Sequence, residues 1–567
     1  MKKSHLTLGA ALLALTGYSG ASAEAQSGSV ATTNMTDAEI AQMAGAPLFE
    51  GMGNYSRKIS TSSAAANRYF NQGMVLAFGF NHAESIRSFR AAQRLDPGCA
   101  MCFWGEALAT GPNINVTSKG KAVMSEADRK SAFIAINRAL ALKDTATKRE
   151  QALIEAQARR YNGDASTARE PLDLAYAEAM EKFVAAHPDD DDAAAIYAEA
   201  LMNTIPWDYW SADGKAKPET EKVIATLERI IARSPQHPLA LHLYIHAVEA
   251  SDQPGRAEDE ADALANLVPG SGHLVHMPAH IYWRVGRYDD AAKANVRAAS
   301  VDEEYIAACN AQGFYPALYY PHNIHFLWAA TSMSGQSQMA LESARKVAAN
   351  VRLEQIEQFP TVEFFKTIPL QTLAQFGKWS DIMAEPAPPG NLDYSNAIWR
   401  YTRGLAMANM GDIKGAQAER AKLAAVKDSV QIRFLDSADY PASVLLNIAD
   451  DLLQGEIALK SDDPDQAVSH FERAVHKQDS LPYMEPPFWY YPTRQSLGQA
   501  LLDGGRFAEA EAVYRKDLED YPHNGWSMSG LITALERQGK MDEAKKAKSA
   551  FAIIWGKADV QINGSRL

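Results

Sequence analysis

The sequence predicts an all-α fold made of antiparallel helical hairpins stacked into an array. Three observations lead there. Apolar residues recur at helical spacing along most of the chain, whereas the alternation that marks a half-buried strand never runs for long. Small residues and glycines recur against large apolar ones at the spacing of one hairpin. A chain of 567 residues, 47% hydrophobic and 22% charged, has ample core material but exceeds what one core supports.

In chain order, residues 1–23 read as a secretory signal peptide. Lys2 and Lys3 form its positive start, Leu6 to Leu15 its apolar stretch, and Ala21-Ser22-Ala23 its cleavage site. No Cys stands near that site to take a lipid, and no later segment has 18 uninterrupted apolar residues, so stable membrane insertion is not expected. The mature chain is expected in the periplasm or secreted. Residues 24–60, rich in Ser, Thr, Ala and Gly without periodicity, predict a mobile leader. With 56 basic against 69 acidic residues the formal net charge is −13, a balance that repels nucleic acid.

From Ala64 the hairpins begin. Ala66 to Pro97 places Gly73, Ser85, Phe89 and Ala92 ahead of Asp96-Pro97. Near the C-terminus, SLGQALLDGGRFAEAEAVYRKDLEDYP places Leu497, Gly498, Gly505, Phe507, Ala510, Tyr514 and Pro522 at the same intervals, and Gly539 and Ala544 repeat them. RVGRYDDAAKA, RGLAMANMGDIKGAQAE and QGEIALKSDDPDQAVSHFERAV are further copies. The pattern resembles the tetratricopeptide repeat (TPR), in which small residues let paired helices approach closely. The resemblance implies a right-handed α-solenoid of roughly eleven or twelve TPR-like hairpins. Three stretches are expected: N-terminal repeats over 61–235, central His-rich repeats over 236–355 and C-terminal repeats over 356–567. Longer loops interrupt the array at Gly111–Ser125, Pro206–Pro218, Cys309–Pro321 and Ala384–Tyr394.

Seven of the chain's 14 histidines fall within 84 residues of the central stretch, from His242 to His325. LHLYIH carries His242 and His246, GHLVHMPAHIYWRVGR carries His273, His276 and His280, and YYPHNIH carries His322 and His325. His242, His246 and Glu249 share one helix face. Pro278 predicts that the middle helix begins there, with His273 and His276 in the loop before it. In TPR proteins the first helix of each pair lines a concave groove through its second, fifth and ninth positions. Counted back from Ala291 and Ala340, that resemblance puts His273, His276 and His280, then His322 and His325, at those positions, with His246 in matching register.

Converging neutral imidazoles suit a divalent transition metal such as Zn or Cu, with Glu249 as oxygen ligand or as support for an imidazole. The same groove suits a protein, peptide or small-molecule ligand, with Trp283, Arg284, Glu485, Trp489, Tyr490 and Arg494 as contact candidates. It equally suits histidine acid/base chemistry on a small or anionic substrate. HExxH and GxSxG are absent, so neither a zincin protease nor a serine hydrolase is supported. Cys99 and Cys102 form a CxxC at a helix start, open to a disulfide, a redox pair or half a metal site, and Phe103 excludes a c-type haem motif.

Overall fold

The computed structural model describes residues 35–567 apart from Lys119, Ala212 and Gln312; the stretch read as a signal peptide and the start of the expected leader lie outside the described residues. The described chain is an all-α solenoid of antiparallel helical hairpins. Strand is confined there to the ribbon Thr117–Ser118 with Lys121–Ala122 and one bridge, Trp210 to Ala216.

What makes the hairpins stack is the pairing of glycine with an aromatic ring. Phe89 lies between Gly73 of its own hairpin and Gly105 of the next, where an added Cβ would meet its ring at 2.8 and 2.2 Å. Tyr514 lies likewise between Gly498 and Gly530, at 2.4 and 2.2 Å, and Phe471 against Gly455. A methyl group has no room at these positions, so the glycines are a packing requirement.

One turn closes hairpin after hairpin. Its left-handed residue is Gly286, Gly335, Gly377, Gly411, Gly505 or Gly539, and the next N–H bonds back to the preceding helix, as Arg287 does to the carbonyl of Tyr282 at 2.7 Å. Asp462 takes that conformation once. In the turn between helices Ala64–Phe78 and His82–Leu95, Phe80 takes it, at φ 56°, with the Asn81 N–H on the carbonyl of Leu76.

The array curls until distant parts meet. The Trp526 indole N–H donates to the carbonyl of Ser332 at 3.0 Å, and the Asp559 carboxylate accepts the N–H groups of Ser337 and Gln338, capping helix Ser337–Asn350. At the other end, the Gly270 N–H donates to the carbonyl of Gly51 at 2.8 Å. That contact belongs to the segment expected to be a mobile leader, whose described part is folded onto the repeats. Helix Asp37–Ala44 carries a capping box, and Tyr69 and Gln72 hold the backbone of Ala46, Pro47 and Phe49. The segment lacks periodicity because side chains of the first hairpin satisfy its backbone.

The inner face also differs from an open groove at the histidines, since chain from other repeats covers it. Helix Gly272–His276 continues through Met277 into Pro278–Arg284, so His273 and His276 sit in a helical turn and not in a loop. Pro278 breaks only the hydrogen-bond ladder there, having no N–H to give. The loop after Cys309 ends in a π-helical turn, Tyr315–Tyr319, that runs into helix Tyr320–Met333.

Candidate metal centre

Three successive first helices deliver the histidines: Pro238–Val248, the broken helix Gly272–Arg284, and Tyr320–Met333. Six imidazoles gather into two triads. In each, the candidate ligand atoms lie within 4.8 Å of one another: His242, His246 and His273 in one, His276, His280 and His322 in the other. All are buried except His322, which is half-buried.

Hydrogen bonds fix the tautomers. The carbonyl of Phe78 can only accept, so His242 donates from Nδ1 at 2.6 Å and keeps a lone pair on Nε2. Glu249, fully buried, takes one imidazole on each oxygen: His246 Nδ1 on Oε1 and His280 Nδ1 on Oε2, both at 2.7 Å. The Tyr483 hydroxyl also donates to Oε2, at 2.8 Å. Asn295 gives its amide to the carbonyl of Ala291, which turns its oxygen toward His276 Nδ1 at 2.6 Å. An imidazole whose Nδ1–H is held this way presents Nε2 for coordination.

In the first triad those nitrogens have no partner among the described residues. Nε2 of His242, Nε2 of His246 and both nitrogens of His273 are buried without a hydrogen bond. Burying a polar atom unpaired costs on the order of 1–3 kcal/mol. Three such rings side by side therefore call for an explanation that packing does not supply. Burial holds these imidazoles neutral: it pushes His246 down to about 3, and His242 and His273 well below the usual histidine range, with neighbouring imidazoles adding to the effect on the latter two. Burial also lowers His280 and His322, to about 4 and about 3.

Aromatic rings wall the first triad. Phe80 lies 4.5 Å from the His242 ring and 5.5 Å from that of His273, centroid to centroid, and Trp207 lies 5.2 Å from His246. Both wall residues have positive φ, 56° and 61°. Bulky side chains rarely adopt that conformation, and two of them converge on one histidine cluster. Tyr319, from the π-helical turn, closes on His273 at 4.8 Å.

The remaining sequence candidates separate. Glu249 supports two imidazoles, and Glu485 stands 3.8 Å from His280 Nδ1 at the half-buried edge, with Glu249, His246 and His280 close by. Arg284 donates to the carbonyls of Glu249 and Ser251, fixing the backbone behind the cluster, while Trp283 packs on Tyr288 and Phe326. His325 lies apart, stacked on Trp328 at 5.0 Å. Trp489 and Tyr490 pack with Tyr401, and Arg494 pairs with Asp479. Cys99 and Cys102 form a disulfide at the start of helix Ala100–Thr110, away from the histidines. A groove of about 1000 Å³ elsewhere is lined by Arg57, Asp190, Asp192 and His237, but these charges pair with one another.

Sequence reasoning did not reach Phe80, Trp207, Asn295, Tyr315 or Tyr319. Two kinds of signal were present: Phe80 is an aromatic residue in the turn position that glycine fills in other hairpins, and Trp207, Tyr315 and Tyr319 fall in the long loops Pro206–Pro218 and Cys309–Pro321.

No family model matches the chain, and no curated protein matches it. Among solved structures it is similar to the APC/C hetero-tetramer Cut9-Hcn1, at 12% identity over 89% of this chain and 76% of that one, with a TM-score of 0.29. It is also similar to the human IFIT1 dimer with m7Gppp-AAAA, at 13% identity over 76% and 87% with a TM-score of 0.31, and to yeast Tom70, at 11% over 85% and 89% with a TM-score of 0.27. At such scores the repeat architecture rests on the glycine and aromatic packing and the recurring turn of this chain itself.

Proposed function

We propose that this protein is an exported repeat scaffold, periplasmic or secreted, that holds a transition-metal ion on His242, His246 and His273 and uses the surface around it to bind a ligand. The observation that carries the reading is the set of buried, unpartnered nitrogens on those three rings. Neutral imidazoles suit Zn or Cu, which the donor set alone does not distinguish, and two of the three, His242 and His246, have Nδ1 held by a carbonyl or a carboxylate. The support from Phe78 and Glu249 matches what orients metal-binding histidines generally.

A ligand would approach from the side of His322, Tyr483 and Glu485, where the cluster is least covered. A second reading, a metal-dependent or histidine acid/base enzyme, gains support from Glu485 beside His280 at that edge.

Metal analysis of protein purified without a polyhistidine tag tests the proposal. At least one equivalent of transition metal per chain is expected, and His246→Ala should lose the ion of this triad while keeping its helical content. A metal-free preparation that also ignores added Zn²⁺ and Cu²⁺ sinks the reading.

A further inference from the structure

The second triad poses a chemical problem of its own. His276 and His280 each donate through Nδ1, to Asn295 Oδ1 and to Glu249 Oε2, so each keeps its lone pair on Nε2. Those two nitrogens face each other at 2.8 Å. Two lone pairs at that separation repel unless an electrophile lies between them. The orientation of Asn295 is itself fixed, because its amide donates to the carbonyl of Ala291. The third ring, His322, lies 4.8 Å from His276 and 5.8 Å from His280, centroid to centroid.

We infer that His276, His280 and His322 bind a second transition-metal ion, making the cluster a two-ion centre whose halves share Glu249 as a positioning residue. The inference rests on the first triad's proposed ion and adds a second site of the same class. An ion about 2.0–2.1 Å from each nitrogen in tetrahedral geometry needs His276 and His280 Nε2 about 3.3 Å apart. The pair must therefore part by about half an ångström. His322 faces the least covered side, so this second ion would be the one a ligand meets first.

Glu249 ties the halves together. Its Oε1 holds His246 of the first triad and its Oε2 holds His280 of the second, with each Nε2 turned away from the shared carboxylate. The centroids of those two rings are 5.3 Å apart, so two paramagnetic ions bound on their far nitrogens would interact magnetically.

The test loads the full chain with Zn²⁺ or with Cu²⁺, removes excess ion with a weak chelator and measures ions per chain. Two equivalents are expected for the unmodified protein and one for His322→Ala, a half-buried position whose change leaves the core intact. One equivalent is likewise expected for His242→Ala. The doubly Cu²⁺-loaded protein should give a spin-coupled electron paramagnetic resonance spectrum, and His322→Ala the spectrum of an isolated ion. Glu249→Gln, which leaves at most one of the two histidines with an acceptor, should weaken both ions by about 10–100-fold. One equivalent in the unmodified protein, unchanged by His322→Ala but lost in His242→Ala, overturns the second site, leaves the first standing and assigns a shared proton to the His276–His280 pair. No bound ion in any form overturns both.

Discussion

Phe80 shows the conflict between backbone and side chain most directly. Its left-handed conformation, at φ 56°, costs an L-residue about 1–2 kcal/mol, and its ring is buried against His242 and His273. Truncation to Ala removes the ring but keeps the strain, whereas Gly removes both. Phe80→Gly should therefore be more stable than Phe80→Ala by about 1 kcal/mol, the reverse of the order expected in a helix. Denaturant midpoints of the two variants check this, and an Ala variant equal to or above the Gly variant would refute the strain. At this scale the sequence was partly legible. It placed His242, His246, His273, His276, His280 and His322 in one central stretch, because helical and repeat spacing are properties of the sequence. It did not reveal which nitrogen of each ring is free. For His242 and His276 that depends on Phe78 and Asn295, which reach the cluster through tertiary contacts that no local pattern encodes.

Within one hairpin, the decisive fit is a ring against a glycine. Replacing a mid-helix glycine by alanine ordinarily gains about 1 kcal/mol. At Gly530 the new methyl would stand 2.2 Å from the Tyr514 ring. The ring has little room to yield, with Gly498 on its other side and its hydroxyl bonded to Ser565 at 2.8 Å. Overpacking costs about 1–3 kcal/mol, so Gly530→Ala should be a net loss of about 1 kcal/mol, read from chemical denaturation. A gain would mean that the ring moves freely. The hairpins were legible because this fit recurs: Gly73 and Phe89, and Gly498 and Tyr514, sit at one spacing. The helix of the leader, Asp37–Ala44, was not, since a single capped helix has no period to betray it.

For the molecule as a whole, the return of the last repeats onto the middle ones separates this chain from a solenoid in which each repeat touches only its neighbours. Trp555 lies against Gly335, and Asp559 caps the helix beginning at Ser337, 222 positions away. Trp555→Ala should therefore raise amide hydrogen exchange across Ser332–Gln338 while leaving the hairpin Ala64–Leu95 unchanged. Exchange confined to the last helix would show instead that the two ends are energetically independent. The covering of the inner face belongs to this scale too. The repeat pattern predicted an inward row of imidazoles, but what fills the space before them comes from Phe80, in the recurring turn, and from Trp207 and the segment around Tyr483, outside the periodic positions.

The bond from Tyr483 to Glu249 spans 234 positions, and a ribosome adding about 5–20 residues per second needs roughly ten to fifty seconds to bridge them. Throughout that interval Glu249 and its neighbouring histidines have been synthesised while the tyrosine that closes over them has not. Completion of the cluster is thus a late event in the life of the chain.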